Sequence, residues 1–365
     1  MKFTIDPADL KEAVRFALTA IAGNPPYPVL KGVLINASGD ELVASGTDEI
    51  RTARVHVPAT VEEGGEVLLH APSLAQLVSK FKGKSDVVIR EDDKKLWFTQ
   101  GKMKFALYKM PSEDYPRQLE KNLAVIGHIN GEAFSGIVSA AEVAASKDIA
   151  LPLLMAVNIQ IGSEVSTLGT DRYRLSTSFA EWEPLQECSY SINAPAAWLK
   201  SVAKNIGGET SLLIAQDGGV PNRIGITSGN YSASSSLISG DYPKVRSLFT
   251  NRGELEHIVD RQGMIDALDF VSVMTERNVP VLLTGRDGLI TFESGGAEGE
   301  STTEIASSND EPFRIGLNPS LALDILRTLS TDLIRFVPNG PKPIHLSATE
   351  GNAEYLLMPV RLTNQ

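Results

Sequence analysis

The chain has 365 residues, 42% of them hydrophobic, enough to bury more than one core and to form two or three domains. Its formal net charge of -11 excludes a protein that coats nucleic acid through a global positive field. A single cysteine, Cys188, excludes a disulfide framework or a cysteine-rich zinc site and reads as a small buried residue.

No apolar run reaches the roughly 20 residues that span a bilayer, and MKFTIDPADL has no basic stretch leading into a long apolar one. A cytoplasmic protein without membrane contact is expected. Taken in chain order, the pattern first predicts a helix over DPADLKEAVRFALTAI. Asp6 is its N-cap, Pro7 its first residue, and Leu10, Val14, Ala17, Leu18 and Ile21 share one face. VLKGVLINA reads as a strand, SGTDEIRT as a turn, and a second helix begins at Pro72 in HAPSLAQLVSKF. SDVVIRE, KLWFTQ and KFALYKM follow as strands.

The same order then returns twice. A helix from Asn130, the strand LMAVNIQI, the turn GTDRYRLS, a helix from Pro195 in NAPAAWLKSVAKNI, and the strands RIGITSG and YSASSSLIS make the second pass. A helix from Asp260, the strand VPVLLTG, a helix from Pro319 in LNPSLALDILRTL, and the strands IHLSAT and YLLMPVRL make the third. Gly46 and Gly169 lie 123 residues apart, Pro116 and Pro243 of the two DYP segments 127, and Pro72, Pro195 and Pro319 are separated by 123 and 124. This internal period divides the chain into three α+β parts, 1–122, 123–250 and 251–365, with net charges of 0, -3 and -8. In the two Gly-Thr-Asp turns, Thr and Asp side chains are expected to cap neighbouring amides. The third part has FESGGAEGES instead.

Phosphate-loop, dinucleotide, zinc-protease and serine-hydrolase signatures are absent, and His56, His70, His128, His257 and His345 lack metal-ligand spacing. No enzyme activity, metal or cofactor is expected.

The triple repeat, MKFTI at the start, PVLKGVLI, GTDRYRLS, DYPKVRSLF and YLLMPVRL together resemble the bacterial DNA polymerase III beta subunit family, the sliding clamps. The resemblance covers the whole chain in order. It implies three clamp domains, each with two helices packed on antiparallel sheets, and a head-to-tail homodimer forming a ring of six domains around double-stranded DNA. Such a ring is a non-catalytic accessory subunit that holds DNA by topology, so weak, sequence-independent phosphate contacts suffice. Lys11, Arg15, Lys80, Lys82, Lys147, Lys200, Lys204 and Arg327 are the channel candidates, with Lys200 and Lys204 on one helix face. Asn24 stands where many members have Arg. An apolar pocket would take QL-x-LF-type motifs of the polymerase III alpha subunit, clamp loader and repair proteins. Its residues would be Leu154, Thr170, Arg172, Leu175, Pro243, Leu248, Met358, Pro359, Val360, Arg361 and Leu362. Leu151 and Arg172 replace residues common in the family, and Thr363 to Gln365 extend past its usual ending near the pocket mouth. At the ring joint the resemblance places Lys102, Lys104 and Phe105 against Val273, Met274, Glu298, Glu300 and Glu304, opposite charges setting register. A clamp-fold paralogue or phage variant that binds the same peptides without encircling DNA is the alternative.

Overall fold

A computed structural model describes residues 1–117, 122–273, 279–296 and 299–362. All six expected helices form: α1 (Pro7–Ala17), α2 (Ala71–Val78), α3 (Gly131–Glu142), α4 (Ala196–Ala203), α5 (Arg261–Ser272) and α6 (Pro319–Thr328). Their starts follow the sequence. Asp6 accepts from the Ala8 amide at 2.6 Å, Asn130 from Ala133 at 2.9 Å, Asn318 from Leu321 at 3.3 Å, and Asp260 from Gly263. Leu10, Val14 and Ala17 of α1 are buried as expected, but the helix tightens into a 3-10 turn at Leu18–Ala20 ahead of Gly23 and Pro25. Leu18 and Ile21 therefore stay partly exposed, while Ala13 and Phe16 complete the buried face.

The chain folds into two compact units. One comprises Met1–Ser135, Trp182–Cys188 and Ala197–Leu237. Its fourteen-stranded antiparallel sheet joins the first two repeats where Tyr231–Ser236 pairs with Arg51–Pro58, a seam closed by a buried hydroxyl contact of 2.7 Å between Thr52 and Ser234. The other comprises Gly136–Glu181, Ser189–Ala196 and Ile238–Gln365. It holds an eight-stranded sheet, joining the last two repeats where Arg174–Ala180 pairs with Glu354–Leu357, and a four-stranded sheet. Its main core packs Met264, Leu268 and Val271 of α5 and Leu323 and Leu326 of α6 with Phe292 and Phe336.

Several expectations are corrected. The strands expected at VLKGVLINA and LMAVNIQI begin late, at Gly32 and Ala156. Pro28–Lys31 and Pro152–Met155 form 3-10 turns, because proline at the turn start has no amide for a ladder. YLLMPVRL stops being a strand at Leu357, since Pro359 cannot donate, and continues through an isolated bridge from Val360 to Gly316. Helix α4 ends at Ala203, so Lys204 lies one residue beyond it. Cys188 is half-buried rather than buried, and desolvation raises its thiol pKa.

Candidate functional site

The two Gly-Thr-Asp segments build the same turn. Thr47 Oγ1 donates to the Arg51 carbonyl at 2.8 Å and Thr170 Oγ1 to that of Arg174 at 2.9 Å. Asp48 and Asp171 each accept from the backbone amide and the guanidinium of the Arg three residues on. The residue after Asp is left-handed in both, Glu49 with φ 71° and Arg172 with φ 79°. Glycine is required for a separate reason. A Cβ on Gly46 would lie 2.1 Å from the Ala17 carbonyl oxygen of α1, and one on Gly169 2.0 Å from that of Ala141 in α3. In the third repeat Ser301 Oγ instead donates to the Val271 carbonyl of α5 at 3.2 Å.

The tyrosine of each DYP segment seats on this turn's strand. Tyr115 Oη donates to the Ser45 carbonyl at 3.3 Å. Tyr242 Oη accepts from the Thr170 amide at 3.1 Å and donates to the Ala156 carbonyl at 3.4 Å. Burial pushes the Tyr242 phenol up to about 12. Tyr242 thereby holds the segment from Gly240 to Thr250 across the second unit's sheet, where Tyr242, Val245 and Phe249 pack on Leu168, Leu175 and Leu356.

The pocket candidates all fall in this unit. Thr170 and Leu175 frame the turn, Arg172 stands exposed on it, and Leu154 is buried in the 3-10 turn before Ala156–Ile161. The Met358 amide donates to the Tyr173 carbonyl at 2.8 Å and the Val360 amide to that of Gly316 at 2.8 Å, carrying the terminal segment past the turn. Leu248, Met358 and Leu362 remain 44%, 39% and 38% exposed, an apolar set that this unit leaves uncovered. Pro243 and Val360 are partly buried, Pro359 likewise, and Arg361 is exposed. Leu151 caps the 3-10 turn of Leu154. Thr363 to Gln365 lie outside the described residues.

Sequence reasoning missed two arginines here. Arg174 is 4% exposed and joins the turn to α6, pairing with Asp171 at 3.0 Å and with Asp324 at 3.0 Å. Arg246 bonds Thr177 Oγ1 at 3.1 Å while its Nε and Nη2 are buried without partners, and desolvation lowers its pKa. It borders two cavities of about 520 and 400 Å³, the first walled by Asn158, Asn193 and Lys244, the second by Phe179, Arg252 and Asn352. The spacing of Arg from the DYP segment carries no pattern that would have singled it out.

The channel candidates differ in their settings. Lys11 Nζ donates to the Phe81 carbonyl at 2.5 Å, Arg15 donates to Asn205 at 2.8 Å, and Arg327 makes two bonds to Asp269 at 2.8 and 3.0 Å. Lys80, Lys82, Lys147, Lys200 and Lys204 are exposed at or beyond helix ends, and Asn24 is exposed in the loop after α1.

At the expected joint, Met103–Tyr108 pairs with Lys95–Gln100 on one side, while on the other side of the strand only Lys109 and Met110 are paired. Lys102 and Phe105 are exposed there, whereas Lys104 Nζ lies 4.5 Å from the Trp97 ring centre on the sheet face. Gly299–Ala306 is the outer strand of the four-stranded sheet and exposes Glu300 and Glu304. Val273 is 75% exposed after α5. Met274 and Glu298 lie outside the described residues.

Residues 1–120, 128–244 and 246–361 match the models of the N-terminal, central and C-terminal domains of the DNA polymerase III beta subunit. The chain is 34% identical over 308 residues to the beta sliding clamp of Micrococcus luteus, covering 83% of this chain and 98% of that one. It is 31% identical to the beta sliding clamp homolog GriR of Streptomyces muensis, covering 99% of both. The crystal structure of the Bacillus subtilis DNA polymerase sliding clamp superposes with a TM-score of 0.85 at 25% identity, covering 100% of both chains.

Proposed function

Since this chain belongs to the DNA polymerase III beta subunit family and is a DNA sliding clamp of three clamp domains, we propose the contacts by which it works. Two subunits close head to tail into a ring around duplex DNA, without catalysis, and the ring tethers the polymerase III alpha subunit, clamp loader and repair proteins. The unpaired edge of Met103–Tyr108 offers one side of the joint and the outer strand Gly299–Ala306 the other, Lys102 facing Glu300 and Glu304. Duplex DNA is held by few charges, Lys80, Lys82, Lys147, Lys200 and Lys204, which are exposed at or beyond helix ends. Weak phosphate contact lets the ring slide.

Partners dock their QL-x-LF-type motifs on the apolar set of Leu248, Met358 and Leu362, beside Pro243, Leu175 and Arg172. The observation that carries this reading is the exposure of those three side chains in the unit whose Gly169–Arg174 turn is locked by Tyr242 and Arg174. Fluorescence anisotropy of a labelled QL-x-LF peptide tests it. Saturable binding is expected, lost in Leu154→Arg and weakened about tenfold or more in Met358→Ala and Leu248→Ala, whose side chains are exposed and leave the fold intact. Unchanged binding in both exposed-site variants would refute the assignment.

A further inference from the structure

We propose that the outer face of the first repeat's four-stranded sheet segment binds single-stranded nucleic acid, independently of the peptide site. Strands Lys2–Ile5, Val87–Glu91, Lys95–Gln100 and Met103–Met110 lie side by side in that order, and their registers bring alternate side chains into rows. One row reads Lys2, Arg90, Trp97, Ala106, the next Thr4, Val88, Thr99, Lys104, and Lys95 stands opposite Tyr108. Paired residues point to the same side, so these side chains share one face, while Phe3, Ile5, Ile89, Leu96 and Phe98 are buried behind it.

Four cations and two aromatic rings on one face stand apart in a chain of net charge -11. None of the residues in these rows is acidic. Carboxylates lie at its margins: on the flanking strand Thr60–Glu63, Glu62 pairs with Lys2 at 2.5 Å and Glu63 stands opposite Lys2, and in the turn Asp92 accepts from Trp97 Nε1 at 2.7 Å. Tyr108 is 68% exposed. Lys104 Nζ sits 4.5 Å from the centre of the Trp97 ring, and Lys95 Nζ 4.8 Å from that of Tyr108 and 5.8 Å from that of Trp97. Such contacts hold the ammonium groups over the sheet instead of letting them trail in solvent. They are also exchangeable. A phosphate can draw each lysine off its ring, and the ring face so freed can stack a base. Cations spaced among flat aromatic faces on a sheet match that ligand in both respects. An acidic peptide would use the charges and leave both rings idle.

The tryptophans supply the readout, since Trp182 and Trp198 are 8% and 1% exposed and Trp97 is not buried. Oligothymidylate of about ten nucleotides is titrated into the full-length protein while Trp emission and, with a labelled oligonucleotide, anisotropy are followed. Saturable quenching is expected. Contacts to three or four phosphates should make the affinity fall roughly 20- to 50-fold between about 50 and 200 mM salt. Arg90→Glu with Lys95→Glu should weaken binding at least about tenfold, while Trp97→Phe should keep binding by anisotropy and lose the quench. These variants leave the apolar peptide site untouched, so QL-x-LF peptide binding remains as a control on folding. The proposal is overturned by absence of saturable quenching at low salt, by unchanged affinity in the double variant, or by equal quenching with polyglutamate, which would assign the face to an acidic protein.

Discussion

The close approach of helix to sheet behind each Gly-Thr-Asp turn gives a sharp test in Gly169→Ala. An added Cβ would stand 2.0 Å from the Ala141 carbonyl oxygen and 2.9 Å from its carbon, both backbone atoms of α3 that cannot swing aside. The helix must therefore retreat by about 1 Å or more from a strand that also carries Thr170. Overpacking of this kind costs about 1–3 kcal/mol, offset by about 0.4–1 kcal/mol from the less flexible unfolded chain. A net loss of roughly 1 kcal/mol is expected, and at most about 2.5 kcal/mol. Gly46→Ala, facing Ala17 at 2.1 Å, should lose a similar amount. Gly136→Ala is the matched control: it lies inside α3 with nothing within 4 Å of the added carbon, and it should gain about 0.5–1 kcal/mol. Urea unfolding followed by circular dichroism measures all three. Equal stability of Gly169→Ala and the parent, with Gly136→Ala unchanged as well, would refute the argument.

Tyr242→Phe removes the acceptor of the buried Thr170 amide, so about 1–3 kcal/mol of stability should be lost together with peptide affinity, measured by urea unfolding and anisotropy. Arg172→Gly relieves the left-handed backbone at φ 79°, and a stability gain of up to about 1 kcal/mol is expected in the same unfolding assay. His257, packed on Phe313 and Phe336, and His345, beside Glu354 with Arg252 and Glu256 nearby, both have pKa values lowered from 6.5 mainly by desolvation. The unfolded chain then binds more protons than the folded one below 6.5, so stability is full above that value and declines as pH falls beneath it. Melting temperatures from about pH 7.5 to 5.5 should fall, and a His257→Phe variant should show a shallower decline.

Local signals in the sequence were readable because they act over a few residues. Asp6, Asn130 and Asp260 cap the helices they precede, and the recurring Thr and Asp close the same turn twice. The seams between repeats were not readable. Alternation along Tyr231–Ser236 says which side chains share a face, yet nothing in it names Arg51–Pro58 as the neighbour. The bonding state of charges was equally hidden. Lys11 and Arg327 look like free helix cations until Phe81 and Asp269, 70 and 58 residues away in sequence, are seen to hold them. Arg246 had no signal at all, because what distinguishes it is that its Nε and Nη2 are buried without partners once the chain is folded. The apolar ends of the pocket were legible only through the family resemblance, since Leu248 and Met358 show no periodicity of their own.

Encirclement separates a clamp from a protein that merely binds DNA and peptides. With a matching clamp loader and ATP, labelled protein is placed on a nicked circular plasmid, isolated by gel filtration, and followed after the plasmid is cut once at a distant site. Retention on the circle and rapid loss from the linear form, both insensitive to moderate salt, are what the account predicts. Equal retention before and after cutting, or loss from the intact circle on raising salt, would mean that phosphate contacts rather than topology hold the protein and would contradict it.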